Sequence, residues 1–355
     1  MRSTNESICD VVGSQSSESI TTGIRTLKAM RVPINWDSNL PIYASEPFLR
    51  SVGDEYGWIA GIDASGEQNC LLPYTVIRKL GFRIVRFRVE TIPLKGGVSL
   101  ESERSFLNSA LEYFRGIGAD MIIPGTNAAL FRTYPNGATA APYGTLLNNL
   151  QQPEEALFSS VHADYRKKIR SAARAGVTVR HGLEHLDTAY NIIADTLKRS
   201  AAQFIKSSDD LKKTVASFGE NVRVFIAEHE GVPQACLISP FSQHTAYTCW
   251  GGTIAEPVKG AMHLLHWEAM RHYRTMGVRQ FNFQGVRINP EPASKQEGIL
   301  TFKTRFGGQL VQGYTWKYGF GRLKWAAYTL AVRLLKGGDI VDRERHKLAA
   351  LSTVC

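Results

Sequence analysis

The 355-residue sequence lacks the paired cysteines and long apolar runs that define several large protein classes. Its five cysteines are Cys9, Cys70, Cys236, Cys249 and Cys355. They form neither a Cys-x-x-Cys motif nor a Cys/His ligand cluster. This spacing predicts a reducing compartment and no structural metal. No apolar run approaches the roughly 18 residues that a spanning helix needs, and the polar N-terminal region has no signal-peptide core. We therefore expect a cytoplasmic protein.

Common catalytic motifs are also missing. The sequence contains no Gly-x-Ser-x-Gly elbow, no His-Glu-x-x-His motif and no Walker loop, so nothing in it indicates a serine hydrolase, a zincin or a P-loop nucleotidase. His263 and His266 lie three residues apart on a predicted helix, but no third ligand is evident, and packing or solvation is the better interpretation. The sequence therefore predicts no metal site.

Basic residues, in contrast, are in excess. Lys and Arg number 42 against 32 Asp and Glu, a formal net charge of +10. This balance favours polyanionic partners such as phosphates, nucleic acid, anionic lipid or cell-wall precursors. Solubility alone is the alternative explanation.

The chain divides into four predicted segments. Residues 1–28 are rich in Ser and Thr and are expected to be a disordered leader. Residues 29–153 form an N-terminal domain, which combines strands with one helix over 101–116, further strands at 121–124 and about 128–134, and a loop up to residue 143. Residues 154–337 form a C-terminal domain, and residues 338–355 are expected to be a polar, mobile tail.

The C-terminal domain opens with a basic helix predicted over 158–175 and ended by Gly176. Arg166, Arg170 and Arg174 recur every four residues, so they share one helix face. Two helices, three strands over 221–228, 232–241 and 244–251, an amphipathic helix over 259–276 and a strand over 279–283 follow. The first two of the three strands are predicted to form a hairpin through Glu230-Gly231.

The most informative stretch is Gly298-Ile-Leu-Thr-Phe-Lys-Thr-Arg-Phe-Gly-Gly308. It sets Lys303 and Arg305 beside Phe302 and Phe306 in a short predicted helix that ends before a strand over 309–317. Two cations held among aromatic side chains are better suited to bind an anionic group than to lie on an ordinary protein surface. On this pattern alone the group could be any phosphate or carboxylate.

Three motifs occur together in the second half. They are Tyr165-Arg-Lys-Lys-Ile-Arg-x3-Arg-x-Gly-Val177, Trp250-Gly-Gly-Thr253 followed by Leu264-Leu-x-Trp267, and Phe281-x-Phe-Gln-Gly285 followed by Gly298-x3-Phe-Lys-x2-Phe-Gly-Gly308. With the order of elements, they resemble the FemAB/FemX family of tandem GNAT-fold acyltransferases. The resemblance covers about residues 155–320, and the first half only by length and strand order.

The resemblance implies an α/β (α+β) fold of two GNAT-like domains, each a mixed, mostly antiparallel twisted sheet flanked by helices. It implies transfer of an aminoacyl group from aminoacyl-tRNA, as co-substrate, to an amine of a cell-wall or related precursor, with no bound cofactor. Relatives that use acyl-CoA provide the alternative donor. The loop Glu256-Pro-Val-Lys-Gly-Ala261 keeps only the end of the pyrophosphate-binding pattern of CoA-dependent relatives, which makes acyl-CoA less favoured.

The resemblance also assigns roles. Lys303 is the candidate catalytic cation, which would stabilise an oxyanion or hold the terminal phosphate of the tRNA acceptor end. Arg166 and Arg170 would bind a phosphorylated or lipid-linked acceptor through their guanidinium groups. The remaining candidate substrate-binding residues are Tyr165, Trp250, Gln284, Gly285, Phe302 and Arg305.

Three questions stay open at this level. Glu256, Glu268 and Glu297 are possible general bases, but no neighbouring pattern selects one of them. The basic amphipathic segment 321–336 can pack on the domain or make peripheral contact with the inner face of an anionic membrane. A non-enzymatic polyanion-binding protein that uses the face of Arg166 to Arg174 is a third reading of the chain.

Overall fold

The computed structural model describes residues 25–94, 97–125, 129–200 and 207–352. These residues form a mixed α/β fold with ten α-helices and two sheets. The helices are α1 (Glu46–Val52), α2 (Leu100–Gly116), α3 (Glu154–Ser160), α4 (Ala163–Arg174), α5 (Leu186–Arg199), α6 (Ser208–Ala216), α7 (Ala261–Thr275), α8 (Lys295–Arg305), α9 (Arg322–Lys336) and α10 (Ile340–Ser352).

The strands follow the same chain order. They are β1 (Lys28–Val32), β2 (Glu55–Ile62), β3 (Gln68–Lys79), β4 (Phe82–Phe87), β5 (Ile92–Pro93), β6 (Met121–Ile122), β7 (Thr139–Asn149), β8 (Thr178–His181), β9 (Val222–His229), β10 (Val232–Pro240), β11 (Thr245–Tyr247), β12 (Trp250–Thr253), β13 (Gln280–Val286) and β14 (Gln309–Gly319). The larger sheet has the order β1-β2-β3-β4-β6-β14-β7-β13-β11, with β5 paired to β3. The smaller sheet has the order β12-β10-β9-β8.

The β9–β10 hairpin confirms the turn prediction. Glu230 and Gly231 have φ of 50° and 76°, and the two strands pair antiparallel on either side of them. Two successive positive φ values match the right-handed twist of the strands, and glycine adopts such values without a Cβ penalty.

The predicted strand over 244–251 is instead two strands with different partners. β11 runs parallel to β13, and Tyr247 lies opposite Asn282. At Thr248 and Cys249 the chain leaves that neighbour, and β12 pairs antiparallel with β10. The two sheets therefore part just after Tyr247 and Asn282. Backbone groups beyond that point on β13 lose their β11 neighbour and become available to other groups.

The helix predicted over 158–175 is also two elements, because the chain is extended at Val161 between α3 and α4. The His162 side chain caps α4 by accepting a hydrogen bond from the Asp164 amide. Arg166 closes the end of α3, since its Nη1 donates to the carbonyls of Ser159 and Val161 at 2.7 and 2.6 Å. Local side-chain bonds therefore replace the helical ones that a continuous helix would make.

Strand β7 is absent from the sequence-based prediction, which has a loop up to residue 143 and no strand between residues 143 and 153. It lies between β14 and β13 in the larger sheet. Pro142 and Gly144 weaken the sequence signal, although Gly144 lies close to β14, where a Cβ would come within 2.9 Å of Leu310 Cδ1. The predicted strand at about 128–134 is reduced, in its described residues, to one bridge between Phe131 and Tyr314.

The predicted domain limits are not tested by these elements and stay a prediction. β7 precedes the predicted boundary at residues 153 and 154 but pairs only with strands that follow it, so the larger sheet crosses that point. Most of the predicted leader lies outside the described residues, although Leu27 is buried and Lys28 begins β1.

Helix α10 replaces the mobile polar tail that the sequence predicts after residue 337. Lys317 of β14 is almost fully buried, and its ammonium lies 2.9 Å from Asp339 and 2.6 Å from Asp342. Val341 is buried beside these ion pairs. The cation that holds this polar helix therefore comes from β14, and a local sequence pattern does not reveal such a contact.

Candidate active site

The site forms on β13 where the two sheets part. The register of β13 against β7 shifts between Asn282 and Gly285, which marks a β-bulge. Within it, Gln284 has φ of 60°, a left-handed conformation that is uncommon for a residue with a side chain. The Asn282 side chain holds this turn by accepting the Gln284 amide at 2.6 Å. Bulges of this kind redirect backbone groups away from the regular ladder.

Gly285 allows Tyr143 of β7 to lie directly against the bulge. A Cβ on Gly285 would come within 2.4 Å of Tyr143 Cε1 and 2.7 Å of its hydroxyl oxygen. The glycine is therefore required by close approach of a ring. Burial raises the pKa of Tyr143 to about 12, so its phenol is neutral at neutral pH.

Helix α8 delivers Lys303 to the bulge. Ser294 caps α8 by accepting from the Glu297 amide, and the helix ends at Arg305 before the left-handed Gly307. Lys303 Nζ donates to the carbonyls of Gly285 at 3.0 Å and Gln284 at 3.2 Å. We call Lys303, Gln284, Gly285, Tyr43 and Tyr143 the bulge site.

Burial changes the acidity of Lys303. Desolvation lowers the pKa of its ammonium to about 8, because a charged group loses stabilising water when it is half-buried. At neutral pH the group still carries its proton. An ammonium has three N–H donors, and two of them are used by the bulge carbonyls. The third can bind a substrate oxygen.

The aromatic residues of the predicted stretch lie against α4 and α7. Phe306 is fully buried, and the Phe302 and Phe306 rings lie 5.1 Å apart. Tyr165 packs 5.3 Å from Phe306 and 5.9 Å from Phe302. These three predicted residues therefore come together as a hydrophobic wall that holds α8, and with it Lys303, in place.

The predicted arginines take other partners. Arg166 is bound to the end of α3, the exposed Arg170 lies 5.1 Å over the Phe158 ring, and Arg305 lies 3.9 Å from Asp164 and 5.9 Å over the Tyr165 ring. Among the described residues no recorded contact joins Arg166 to Lys303. Their shared cavity therefore stays a prediction.

Trp250 belongs to a hydrophobic cluster that also borders the bulge. It packs with the cluster containing Tyr43 and Tyr247, whose rings lie 4.6 Å apart. The Tyr43 hydroxyl accepts from Gln284 Nε2 at 3.2 Å and donates to Cys249 Sγ at 3.5 Å. The first half of the chain thus supplies Tyr43 to the site, a residue that the sequence analysis missed because no motif surrounds it.

Glu90 is a second missed residue. It lies just past the end of β4, near Tyr247, whose pKa is raised mainly by burial and secondly by the Glu90 carboxylate. Burial raises the pKa of Glu90 to about 7, and the recorded hydrogen-bond partner of its side chain is the Leu130 amide at 3.4 Å. In the described ranges no basic side chain forms an ion pair with it. A carboxyl group with this pKa can accept a proton near neutral pH.

The three carboxylates named from the sequence fit the role of base less well. Glu268 pairs with Arg271 at 3.0 Å, and Glu297 Oε2 accepts from the Ala293 amide at 2.6 Å. Glu256 is exposed. Two of the three carboxylates thus have local partners, and the third lies in solvent.

Two of the three histidines of α7 are the pair that the sequence analysis considered, and both pack against aromatic rings. His263 lies 4.4 Å from the Tyr165 ring and His266 stacks 5.8 Å from Phe283. Burial lowers the pKa of both imidazoles to about 4, so both are neutral at neutral pH. Within the described residues, no group of three His, Cys, Asp or Glu side chains is placed to hold a metal ion.

The start of α7, where a CoA-dependent enzyme would bind pyrophosphate, is closely covered by α4. Gly260 has φ of 93°, and a Cβ there would lie 2.4 Å from the Lys168 carbonyl. Two nearby amides are already used: Val258 donates to Gln234 at 2.9 Å, and Ala261 donates to the Val258 carbonyl at 2.9 Å. These two amides are therefore not available to a pyrophosphate.

Comparisons with known proteins agree with this architecture. Residues 159–291 match the family profile of the acetyltransferase (GNAT) domain, a range that ends before Lys303. FemX matches over 84% of this chain and 99% of its own, with 14% identity and a TM-score of 0.63. The C-terminal domain of a protein named as a lysylphosphatidylglycerol synthetase of Agrobacterium fabrum matches over 82% and 92%, with 15% identity and a TM-score of 0.50.

A sequence comparison with curated proteins finds no match. At such low identities the structural matches establish the fold, which is the one that the motifs predict. The chain therefore has a fold similar to that of FemX, and its residues 159–291 match the acetyltransferase (GNAT) domain.

Proposed function

We propose that this chain is an N-acyltransferase that moves an aminoacyl group from aminoacyl-tRNA to an amine of a cell-wall or related precursor at the bulge site. The observation that carries the proposal is the half-buried Lys303 ammonium, bound to the two bulge carbonyls at 3.0 and 3.2 Å with one N–H to spare. A charged donor fixed at a β-bulge suits an oxygen that becomes negative during acyl transfer.

In the proposed reaction the acceptor amine attacks the ester carbonyl carbon of aminoacyl-tRNA. A C–N bond forms, the C–O bond to the terminal ribose breaks, and the amine proton ends on the released ribose hydroxyl. Lys303 donates to the carbonyl oxygen while the carbon is tetrahedral. Glu90, a half-buried carboxyl group near Tyr247 with its pKa raised to about 7, is our candidate to carry the proton between the two.

The donor is inferred from the start of α7. The close packing of Lys168 against Gly260 and the internal use of the Val258 and Ala261 amides reduce the donors that the pyrophosphate of CoA could use. An aminoacyl-tRNA has no such pyrophosphate, and the +10 charge of the chain favours its phosphate backbone. These two features support aminoacyl-tRNA over acyl-CoA.

Thermal protection tests the choice of donor, since a ligand that binds only the folded state raises the melting temperature. The protein is melted alone, with total aminoacylated tRNA, with the same tRNA after deacylation, and with acetyl-CoA. The proposal expects the largest rise with aminoacylated tRNA. A rise with acetyl-CoA alone would contradict it, and equal rises with both tRNA samples would indicate a polyanion-binding protein.

A further inference from the structure

Helix α9 leaves an apolar face uncovered. It has no buried residue along its 15-residue length, and it attaches to the sheet through Trp325 and Tyr328, which pack beside Ile84 and Met121. Three leucines lie on the opposite side: Leu323 is 89% exposed, Leu330 59% and Leu334 76%. Their spacing of seven and four residues places them in one stripe.

A fourth exposed leucine lies next to the beginning of this helix. Leu80 is 88% exposed at the turn between β3 and β4 and has φ of 50°, so the backbone presents a large apolar side chain at a strained position. Lys324 Nζ lies 3.5 Å from the carbonyl of Gly81, which joins this turn to α9. We call Leu80, Leu323, Leu330 and Leu334 the leucine face.

Cations flank the leucine face. The segment 322–336 contains Arg322, Lys324, Arg333 and Lys336 and no acidic residue. Lys324 pairs with Asp120 at 2.8 Å, whereas the other three form no ion pair among the residues that the structure describes. An apolar stripe between basic side chains is the pattern of a helix that lies in the interface of an anionic bilayer.

We propose that the leucine face docks this protein peripherally on a bilayer surface that contains anionic phospholipid. A second copy of the chain is a poorer occupant, because it would bring the same cations against these ones with no acid on α9 to balance them. No helix among the described residues has the length and hydropathy to cross a membrane. Because the leucine stripe runs along one side of α9, the docked helix would lie parallel to the surface.

Vesicle co-sedimentation of the full chain tests the proposal. The vesicles contain either phosphatidylcholine alone or an equimolar mixture with phosphatidylglycerol. Wild-type protein should sediment with the mixed vesicles, bind the neutral ones much less, and be released by salt. Burying one leucine side chain is worth about tenfold or more in an equilibrium constant, so Leu330→Glu/Leu334→Glu should lower partitioning at least about tenfold.

Two further variants separate the contributions. Arg322→Gln/Arg333→Gln should reduce the preference for phosphatidylglycerol while leaving the leucines in place. Leu183→Glu makes the same type of substitution once, at a leucine that is 52% exposed on another part of the surface, and it should bind like wild type. The leucines of α9 are exposed, so circular dichroism and melting temperature should be unchanged in all variants.

Two results would overturn the proposal. Either wild-type protein does not bind the mixed vesicles, or the double leucine variant binds them as tightly as wild type. Analytical ultracentrifugation adds a second check. A dimer that Leu330→Glu/Leu334→Glu dissociates, without vesicle binding by wild type, would assign the leucine face to a second copy and refute the bilayer. Vesicle binding requires no acyl donor, so this test is independent of the proposed function.

Discussion

Replacing Lys303 with methionine removes the charge of the bulge site but keeps a side chain of similar length. The ammonium donates to Gly285 at 3.0 Å and to Gln284 at 3.2 Å, so the variant loses these bonds and the donor proposed for the oxyanion. Loss of one preorganised oxyanion donor typically lowers kcat by about 10²–10³-fold. Leaving the bulge carbonyls without a donor costs about 1–3 kcal/mol of folding stability.

The assay is acyl transfer at saturating donor, measured beside a denaturant titration that shows the variant to be folded. pH separates charge from packing. The pKa of Lys303 is about 8, so a rate that depends on the ammonium falls as the pH rises through 8. In Lys303→Arg the guanidinium stays charged, and this fall should vanish even if the rate is lower. A folded Lys303→Met with kcat within about threefold of wild type would refute the assigned role.

The same residue makes a stability prediction of definite sign. Burial lowers the pKa of Lys303 from 10.5 to about 8, so between these pH values the unfolded chain binds more protons than the folded one. Stability then rises with pH, by up to about 3 kcal/mol from this group. The difference in unfolding free energy between wild type and Lys303→Met should therefore shift in favour of wild type from pH 8 to pH 10. A difference that is constant with pH would contradict the burial of a charged lysine.

Three further substitutions test other parts of the structure. Gly285→Ala places a methyl group 2.4 Å from the ring of Tyr143, so it should lower the unfolding free energy by about 1–3 kcal/mol in a denaturant titration. Gly298→Ala meets open space within α8 and should raise the unfolding free energy by roughly 0.5–1 kcal/mol. If Glu90 accepts the proton, kcat/KM of wild type should rise with pH through about 7. Glu90→Gln should abolish this rise and lower the rate by about 10²–10⁴-fold. An unchanged pH profile in the variant would exclude Glu90 as the base. Lys317→Met leaves two aspartates without their buried cation, so it should destabilise by about 3–5 kcal/mol and speed amide exchange in α10. The more exposed pair of Lys324 with Asp120 should be worth less than about 1 kcal/mol when it is removed in the same way.

Elements with strong local signals were predictable from the sequence. The turn at Glu230-Gly231 requires positive φ values that glycine supplies, and Gly176 follows the end of α4 as predicted. Lys303 was singled out with its aromatic neighbours, and the structure shows Phe302 and Phe306 packed together. In each case the relevant interactions lie within a few residues, where sequence patterning acts directly.

Elements that depend on distant partners were not predictable. β7 contains Pro142 and Gly144 and reads as loop, yet it pairs with β13 and β14, which follow it by more than a hundred residues. The sequence of α10 has the pattern of a polar tail, and the helix is held in place by ion pairs of Asp339 and Asp342 with the buried Lys317 of β14. Tyr43 reaches the bulge through a hydrogen bond to Gln284, 241 positions away. Local periodicity cannot report contacts of this kind.

The most direct test of the account is transfer of labelled amino acids from total aminoacylated tRNA to an extract of cell-wall precursors, catalysed by wild type and by Lys303→Met. The account predicts label in an amide that resists mild alkali, formed by wild type and reduced about 10²–10³-fold by the variant. No labelled amide from tRNA, together with acyl transfer from acetyl-CoA to the same extract, would contradict it.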